Sequence, residues 1–357
     1  MLGIVFLQLL PWAYPQAQTI IGENLVGQDL ANYVLANYKT ANTLGYTDAR
    51  DTMYAVIDLR PGNQLTGVYS GFTITLDLAL DPSTDAFNKG INAEHTWPQS
   101  MGAGSEPQKS DLHHLFPAKA NVNSSRGNVP FGEIPDENAD KWYRNDEVLE
   151  SIPAANIDEY AEKENNDPDK FEPRETHKGD AARAVFYFFL MYQEAADEAF
   201  WTGQKDILLQ WHYIDPVDER EYNRSLAIAG YQDGYPNPFV LDSTLARRIW
   251  TTPVTQGTSG ANILPQQFFL YPNYPNPFNP ASVIRYDLPQ GSVVSLSVYD
   301  ILGREVIRLM EGYNQPGYHN IRWDGQDRHG REIPSGVYIA RLATPRYTKS
   351  ISMVLLK

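Results

Sequence analysis

The chain has 357 residues, a net charge of −15, 42% apolar and 12% aromatic residues, and no cysteine. This apolar and aromatic content excludes a disordered chain and a coiled coil, and the length predicts two domains. Without cysteine, the sequence can form neither a disulfide framework nor a cysteine-based zinc site.

The first 18 residues are dominated by the apolar run Met-Leu-Gly-Ile-Val-Phe-Leu-Gln-Leu-Leu. This run is too short to span a bilayer and is typical of the core of a secretory signal peptide, with Ala17 just before the expected cleavage point. We therefore expect a signal peptide at residues 1–18; a buried N-terminal strand is the alternative. No other segment approaches 18 consecutive apolar residues, so no membrane span is predicted.

Residues 19–252 carry mostly helical patterns. Apolar residues at helical spacing predict helices over residues 30–42, 180–200 and 241–250, the second of them long and buried. Short strands are predicted near residues 55–58 and 72–76, and a further strand ends at Glu94 and His95.

Two short segments of this region concentrate residues that can carry chemistry. Residues 92–98 are Asn-Ala-Glu-His-Thr-Trp-Pro, and residues 111–128 are Asp-Leu-His-His-Leu-Phe-Pro-Ala-Lys-Ala-Asn-Val-Asn-Ser-Ser-Arg-Gly-Asn. Glu94 and Asn123 offer hard oxygen ligands, which suit Mg²⁺ or Ca²⁺ better than Zn²⁺. His95 is able to remove a proton from water near neutral pH, and Arg126 is a permanent cation that can hold a phosphate. This set is what hydrolysis of a phosphodiester with one metal ion requires.

The two segments resemble the endonuclease I family of secreted, non-specific nucleases. The family pattern is roughly N-x-E-H-x-x-P-x-S, then D-L-H-x-L-x-P, then V-N-x-x-R-x-N, and all three pieces are present in order. The resemblance implies a ββα-metal (His-Me finger) site in which Glu94 and Asn123 hold one Mg²⁺, with Ca²⁺ or Mn²⁺ as alternatives. It also implies that His95 is the general base, and that Arg126 and Asn128 lie on one helix as supports or phosphate contacts.

Other polar residues of these segments have less specific expectations. Asp111 is expected to orient a neighbouring imidazole or backbone group, and His113 to support the fold around the site. Because adjacent residues of a strand face opposite sides, one of His113 and His114 is expected to point away from His95. Between the two segments lies Lys109 but no arginine, where some family members carry one, so the group that stabilises the leaving oxygen stays open. A second departure is Gln-Asp-Gly-Tyr-Pro-Asn-Pro-Phe at residues 232–239, which lacks the arginine found in related sequences.

Residues 253–267 are rich in Gly, Ser, Thr and Pro and have the composition of a linker. After them the pattern changes to short alternating strands, at residues 282–288, 293–299, 317–323 and 336–344, which predict a small β-sandwich. The succession Tyr-Pro-Asn-Tyr-Pro-Asn-Pro-Phe-Asn-Pro from residue 271, Tyr-Asp-Ile-Leu-Gly-Arg from residue 299 and Ile-Pro-Ser-Gly-Val-Tyr from residue 333 resembles the C-terminal sorting domain of the type IX secretion system. That resemblance implies an Ig-like fold and export across the outer membrane; a plain Ig-like accessory domain is the alternative.

The charge is distributed unevenly along the chain. Residues 268–357 contain 10 Lys and Arg against 7 Asp and Glu, a net charge of +3, whereas the preceding part has 19 against 37, a net charge of −18. Many of the acids fall between residues 133 and 180, where a solvated acidic lobe is expected. Nucleic acid would therefore have to be held by a local basic cleft and a metal ion rather than by the overall field.

The sequence thus predicts an α+β protein. A mainly helical nuclease domain with a ββα-metal motif is expected at residues 19–252, a linker at 253–267 and an all-β Ig-like sandwich at 268–357. The predicted function is that of a monomeric, Mg²⁺-dependent endonuclease that is exported through the periplasm to the cell surface or the medium and cuts DNA, or RNA, with little sequence preference. The alternatives are a surface protein that binds nucleic acid without cutting it, and a phosphodiesterase with another substrate.

Overall fold

The computed structural model describes residues 20–251 and 268–356, apart from positions 167, 272, 274 and 275. The predicted signal peptide at 1–18 and the predicted linker at 253–267 lie outside the described residues. Helices and short strands alternate up to residue 251, and the part described from residue 268 onward is built from strands. Within the described ranges, every helix is too short or too polar to cross a membrane.

The elements are numbered in chain order. The helices are α1 Gly27–Tyr38, α2 Tyr46–Thr52, α3 Pro82–Asn88, α4 Ala120–Arg126, α5 Lys178–Met191, α6 Glu198–Thr202, α7 Lys205–Ile214, α8 Glu219–Ala229, α9 Pro238–Leu241 and α10 Leu245–Trp250. The strands before the gap are β1 Gln64–Thr66, β2 Thr73–Thr75, β3 Ile91–His95, β4 Leu115–Lys119, β5 Lys141–Arg144, β6 Glu147–Leu149, β7 Ala161–Glu164 and β8 Lys170–Glu172. Those after it are β9 Phe269–Leu270, β10 Ser282–Leu288, β11 Ser292–Asp300, β12 Glu305–Asn314, β13 Gly317–Trp323, β14 Gly336–Ala343 and β15 Thr348–Leu355.

The predictions for residues 55–58 and 180–200 are wrong. The predicted strand at 55–58 is a π-helical turn, Met53–Ile57, that continues α2 and buries Met53 and Tyr54. The long helix predicted over 180–200 is interrupted, because Tyr192 leaves helical geometry and Asp197 caps a new helix by accepting a hydrogen bond from the Phe200 amide at 2.8 Å. The apolar period continues across this break, and for that reason the sequence did not reveal it.

The core of the first part is built around α5. Thirteen of its fourteen residues are buried, and they pack among aromatic rings from the neighbouring helices. Phe189 stacks on Trp201 with ring centres 4.2 Å apart, and Trp97 stacks on Phe188 at 4.9 Å. Trp97 lies directly after the β3 strand, so this packing fixes the end of β3 to the core.

The acidic segment between residues 133 and 180 is only partly a solvated lobe. Its strands form an antiparallel sheet in the order β6-β5-β7-β8. All four residues of β7, including Glu162, Lys163 and Glu164, are buried. Two of these charged side chains form ion pairs, Lys163 with Asp169 at 3.0 Å and Glu164 with Lys170 at 3.7 Å.

The C-terminal part consists of two antiparallel sheets, in the orders β13-β10-β9 and β12-β11-β14-β15. Their inward-facing residues form one shared core, with Ile284 and Tyr286 from the first sheet against Leu296 and Leu342 from the second. This part also contacts the helices before it: Arg247 of α10 pairs with Asp287 of β10, and Arg285 Nη1 donates to Ser243 Oγ at 2.5 Å.

Candidate active site

The candidate site is built on the β3–β4 hairpin and the helix α4 that follows it. The strands are antiparallel, with Glu94 opposite Phe116 and His95 opposite Leu115. Helix α4 starts directly after β4, and the Ala120 amide donates to the Gly90 carbonyl at 2.9 Å. This strand–strand–helix succession brings Asn123 next to residues that precede it by about 30 positions.

Asn123 is fixed against β3 by its amide nitrogen. Nδ2 donates to Asn92 Oδ1 at 2.8 Å and to the Ala93 carbonyl at 3.1 Å. Because both hydrogen bonds use Nδ2, the orientation leaves Oδ1 as the atom able to serve as a ligand. Asn92 and Asn123 are both half-buried, so their oxygens lie where the interior meets solvent.

Glu94, which lies in β3 directly after Ala93, is a buried carboxylate with 2% of its surface exposed. Its Oε1 accepts a hydrogen bond from the Tyr69 hydroxyl at 2.7 Å and lies 3.4 Å from Arg126 Nε. Burial raises the pKa of Glu94, and Arg126 and Tyr69 offset part of this rise. Sequence reasoning missed Tyr69, because no local pattern links it to a residue 25 positions away.

The donor set suits a hard cation held by few protein groups. Carboxylate and amide oxygens are the ligands that Mg²⁺ and Ca²⁺ prefer, and Mg²⁺ commonly binds to one or two protein groups and keeps several waters. The described residues contain no cluster of three or more His, Cys, Asp or Glu side chains that would hold a metal on its own. Glu94 and Asn123 therefore fit a magnesium-type site better than a zinc site.

The geometry of His95 defines its tautomer. Nε2 lies 3.0 Å from the Lys109 carbonyl, which can only accept, so Nε2 carries the proton. Nδ1 is then the lone-pair nitrogen, and it accepts from the amide of the exposed Gln99 at 3.3 Å. Burial, and then the nearby His114, lower the pKa of His95 to about 3, so the imidazole is neutral at physiological pH.

Arg126 is buried, at 1% exposure, and directed inward. Its Nη2 donates to the Thr96 carbonyl at 2.6 Å, and its Nη1 donates to the carbonyls of Gly127 at 3.0 Å and His95 at 3.4 Å. The guanidinium also lies 4.8 Å from the centre of the Phe131 ring. These hydrogen bonds to the His95 and Thr96 carbonyls fix the end of β3.

Asn128 does not share the helix of Arg126, contrary to the prediction. Helix α4 ends at Arg126 because Gly127 adopts a positive φ of 58°, a conformation that glycine tolerates at helix ends. Asn128 is exposed, and its Nδ2 lies 3.4 Å from Ser100 Oγ.

Asp111 is the centre of a buried hydrogen-bond network. Its Oδ2 accepts from the hydroxyls of Tyr187 at 2.9 Å and Tyr192 at 2.6 Å, and its Oδ1 accepts from the His113 amide and from Gln232 Nε2. Burial by itself would raise the pKa of Asp111, but His113, His114 and the hydrogen bonds outweigh it, and the pKa lies below its ordinary value. Gln232, the first residue of the 232–239 segment, also accepts from the Leu112 amide at 2.7 Å, so this segment supports the site's framework.

The two adjacent histidines diverge for a different reason than predicted. They lie on a 3₁₀ turn, Leu112–His114, rather than on a strand. His113 points to Tyr187, with ring centres 4.6 Å apart, and its Nε2 contacts the Tyr235 carbonyl at 2.9 Å. His114 instead faces the His95 ring at 5.5 Å, a neighbour that the sequence did not reveal.

A group of three further side chains, Tyr46, Arg50 and Lys109, adjoins His95 through the Tyr46 ring. The Tyr46 ring, from the start of α2, lies 5.5 Å from the His95 ring. Arg50 Cζ and Lys109 Nζ each lie 4.7 Å from the centre of the Tyr46 ring. Tyr46 and Arg50 are one helical turn apart, and that spacing was the only signal in the sequence that could have linked them.

Comparison with known proteins adds the following findings. A model of the family described as Endonuclease I matches residues 26–244. An extracellular ribonuclease of Bacillus subtilis is 34% identical over 44% of this chain and 54% of its own length, and an extracellular ribonuclease of Bacillus amyloliquefaciens is 33% identical over 44% and 53%. The chain thus spans about half the length of these relatives. Among solved structures, dimeric latent PorU from Porphyromonas gingivalis matches with 21% identity over 25% of this chain and 9% of that one, and its TM-score of 0.21 supports no structural argument.

Proposed function

We propose that the chain, which belongs to the endonuclease I family, is an exported nuclease that hydrolyses phosphodiester bonds with the help of one divalent cation. One observation carries the proposal. Asn123 is hydrogen-bonded to β3 at Asn92 and Ala93, next to Glu94 and the neutral His95 in the chain, and two cations lie on the Tyr46 ring that adjoins His95.

Glu94 and Asn123 are the residues that would hold Mg²⁺, with Ca²⁺ or Mn²⁺ as alternatives. The cation supplies Lewis-acid stabilisation of charge on a phosphate oxygen and on the leaving oxygen. Tyr69 and Arg126 position Glu94 by holding one of its oxygens, and Asn92 and the Ala93 carbonyl position Asn123.

His95 acts as the general base through Nδ1. The Lys109 carbonyl holds the proton on Nε2 and orients the ring. Gln99 is exposed and donates to Nδ1, so a water that takes its place lies within hydrogen-bonding reach of the base. The low pKa keeps the imidazole unprotonated before each turnover.

Phosphate contact is assigned to Arg50 and Lys109 instead of Arg126. Nη1 and Nη2 of Arg126 are engaged by backbone carbonyls, and its Nε lies 3.4 Å from Glu94 Oε1, which makes it a positioning residue. Arg50 and Lys109 are half-exposed, and within the described residues neither forms an ion pair with a carboxylate. Either cation can neutralise the phosphate beside His95, and Lys109 occupies the segment where relatives of the predicted family carry an arginine.

The substrate is nucleic acid cut with little sequence preference, because phosphates carry most of the binding and no sequence information. DNA is the expected substrate, the products would carry a 5′-phosphate, and the names of the two Bacillus relatives support RNA as a second one. The protein would act as a monomer.

The proposal that the protein is exported is based on segments at both ends of the chain. Residues 1–18 would direct it to the periplasm, and residues 268–357 would form an Ig-like sorting domain that engages the type IX secretion machinery. The two-sheet core and the extracellular location in the relatives' names support this reading. The protein would then reach the cell surface or the medium.

Cleavage of plasmid DNA and of single-stranded RNA by the purified chain tests the proposal. Mg²⁺-dependent nicking that EDTA abolishes, and that is lost in His95→Ala, is the expected result. Binding of both nucleic acids without cleavage would identify a binding protein instead. Activity on bis(p-nitrophenyl) phosphate with intact DNA and RNA would identify a phosphodiesterase with another substrate.

A further inference from the structure

A second concentration of positive charge lies away from Glu94 and His95. The segment after the π-helical turn and helix α8 line a cavity of about 540 Å³ that is open to solvent. Its wall contains three guanidinium groups, from Arg60, Arg220 and Arg224, but only one carboxylate, Asp58. The described wall therefore has a net charge of +2, in a part of the chain that is strongly acidic overall.

The single carboxylate of the described wall, Asp58, already forms an ion pair with one of the three arginines. Asp58 receives Arg224 in a two-pronged contact, Nε to Oδ1 at 2.9 Å and Nη2 to Oδ2 at 3.0 Å. Arg220 lies 3.9 Å from the same carboxylate and is 47% exposed. Arg60 forms no ion pair within the described residues, and its Nε is buried without a hydrogen-bond acceptor.

A fourth cation, Arg174, lies near these arginines but outside the described wall, and the carboxylates of Asp180, Glu159 and Asp215 act on it as well. Burial, and then the charges of Arg220 and Arg174, lower the pKa of Arg60. The Nε of Arg174 is also buried without an acceptor. Like charges held together in a partly desolvated place repel one another, so the arrangement is stabilised by any anion that enters.

Two other arginines of the protein differ from the cavity arginines in their partners. The fully buried Arg183 lies against Glu221 with Nε–Oε1 and Nη2–Oε2 distances of 2.6 Å, and Arg248 contacts Asp242 at 3.1 Å. Arg183 and Arg248 thus each have a carboxylate partner, whereas the three cavity arginines have Asp58 as the one carboxylate in the described wall.

We propose that this cavity binds a backbone phosphate of the nucleic-acid strand, at a nucleotide remote from the one that is cut. The inference rests on the proposed nuclease function. A guanidinium cluster recognises phosphate by charge and by paired hydrogen bonds. The apolar remainder of the wall, from Ile57, Leu59 and Pro61, offers a surface for the sugar or base, and the volume is in the range of small-molecule sites.

The cavity is tied to the catalytic hairpin. Arg224 Nη2 donates to the Leu115 carbonyl at 2.6 Å, and Leu115 is the register partner of His95. Since paired strands lie roughly 5 Å apart, the Arg224 guanidinium is roughly 10 Å from the His95 backbone. Successive phosphates of one strand rise by about 3.4 Å along the duplex axis and lie farther apart than that in space, so this distance spans at most about three nucleotides. A nucleic-acid strand longer than about three nucleotides can therefore contact both the cavity and the site at His95.

The test measures binding with cleavage prevented. In the full chain carrying His95→Ala, fluorescence anisotropy gives the Kd of single-stranded oligonucleotides of two and twelve nucleotides, with Mg²⁺ and over a range of salt concentrations. Arg60→Gln, Arg220→Gln and the double variant are compared with Lys141→Gln, which removes a charge from β5, outside the cavity. Urea unfolding of each variant checks that the fold is intact.

The double variant should bind the twelve-nucleotide strand about tenfold more weakly, because the loss of one charge-assisted hydrogen bond weakens binding by about this factor. Its salt dependence should become shallower by about 0.7 per lost phosphate contact. The dinucleotide and the Lys141→Gln variant should show no change, and Arg60→Lys, which keeps the charge, should retain the salt slope.

Three results would overturn the proposal. They are an unchanged affinity and salt slope in the double variant, an equal loss for both lengths, and a 5′-mononucleotide or inorganic phosphate that competes as strongly as the long strand. The nuclease function is tested separately with the wild-type chain on plasmid DNA. Length-dependent binding that needs the arginines, without any cleavage, would refute the nuclease and leave this site in place.

Discussion

Replacing Arg126 with methionine distinguishes a positioning residue from a cation that touches substrate. Methionine keeps the apolar packing against Phe131 but removes the donors that bind the carbonyls of His95, Thr96 and Gly127. It also leaves the buried Glu94 without its nearby positive charge, 3.4 Å away.

The structure sets the size of the effect. A hydrogen bond from a charged group contributes about 1.5–3 kcal/mol, and losing one partner of a buried ion pair costs about 3–5 kcal/mol. Since these contributions overlap, we expect the free energy of unfolding to fall by about 4 kcal/mol for Arg126→Met. For a domain of this size that lowers Tm by about 8–16 °C. The pKa of Glu94, already raised by burial, would rise further, and the affinity for Mg²⁺ would fall.

Urea unfolding and steady-state cleavage, each measured across a Mg²⁺ titration, test this expectation. The matched control is Arg50→Met, since Arg50 is half-exposed and rests on the Tyr46 ring. It should lose less than about 1 kcal/mol of stability, while its KM for nucleic acid rises. The reasoning would be refuted if Arg126→Met unfolded at the wild-type midpoint while kcat fell a hundredfold, because the guanidinium would then act on the substrate.

Four further outcomes are expected. His95→Ala should lower turnover by roughly 10²–10⁴-fold with little change in folding, and retention of most activity on plasmid DNA would contradict the base assignment. Glu94→Ala or Asn123→Ala should abolish Mg²⁺-dependent cleavage, whereas full activity in excess EDTA, or rescue by Zn²⁺ alone, would exclude this metal site. Burial, and then Arg183, lower the pKa of His212 to about 3, so the unfolded chain binds the extra proton between pH 6.5 and 3. Stability should therefore fall by up to about 1.4 kcal/mol per pH unit as pH drops through this window, and His212→Gln should flatten the curve in urea titrations. A chain ending at residue 251 should cut DNA at nearly the full-length rate and stay in the periplasm of its native cell; a folded but inactive product would show that the β-module contributes to the substrate cleft.

The sequence was sufficient where the information is local. Glu94 and His95 are adjacent in one strand, and Asn123 follows from the helix that begins after the next strand, so their proximity depends on one hairpin. In the C-terminal part, the strand patterns predicted β10 and β13 with their observed bounds, and in β10 the alternate residues Ser282, Ile284, Tyr286 and Leu288 form a buried face.

Packing between distant segments decided the rest. Arg126 was expected to be a support or a phosphate contact, and the way α4 lies against β3 directs its Nη1 and Nη2 toward backbone carbonyls. Tyr69, Tyr46 and Arg50 reach the site from other elements, and no spacing in the sequence encodes their contacts with Glu94 or His95. The periodicity of a helix or strand fixes which face of the element a side chain occupies. The residue that this side chain contacts depends on how the elements pack, and only the tertiary structure specifies that packing.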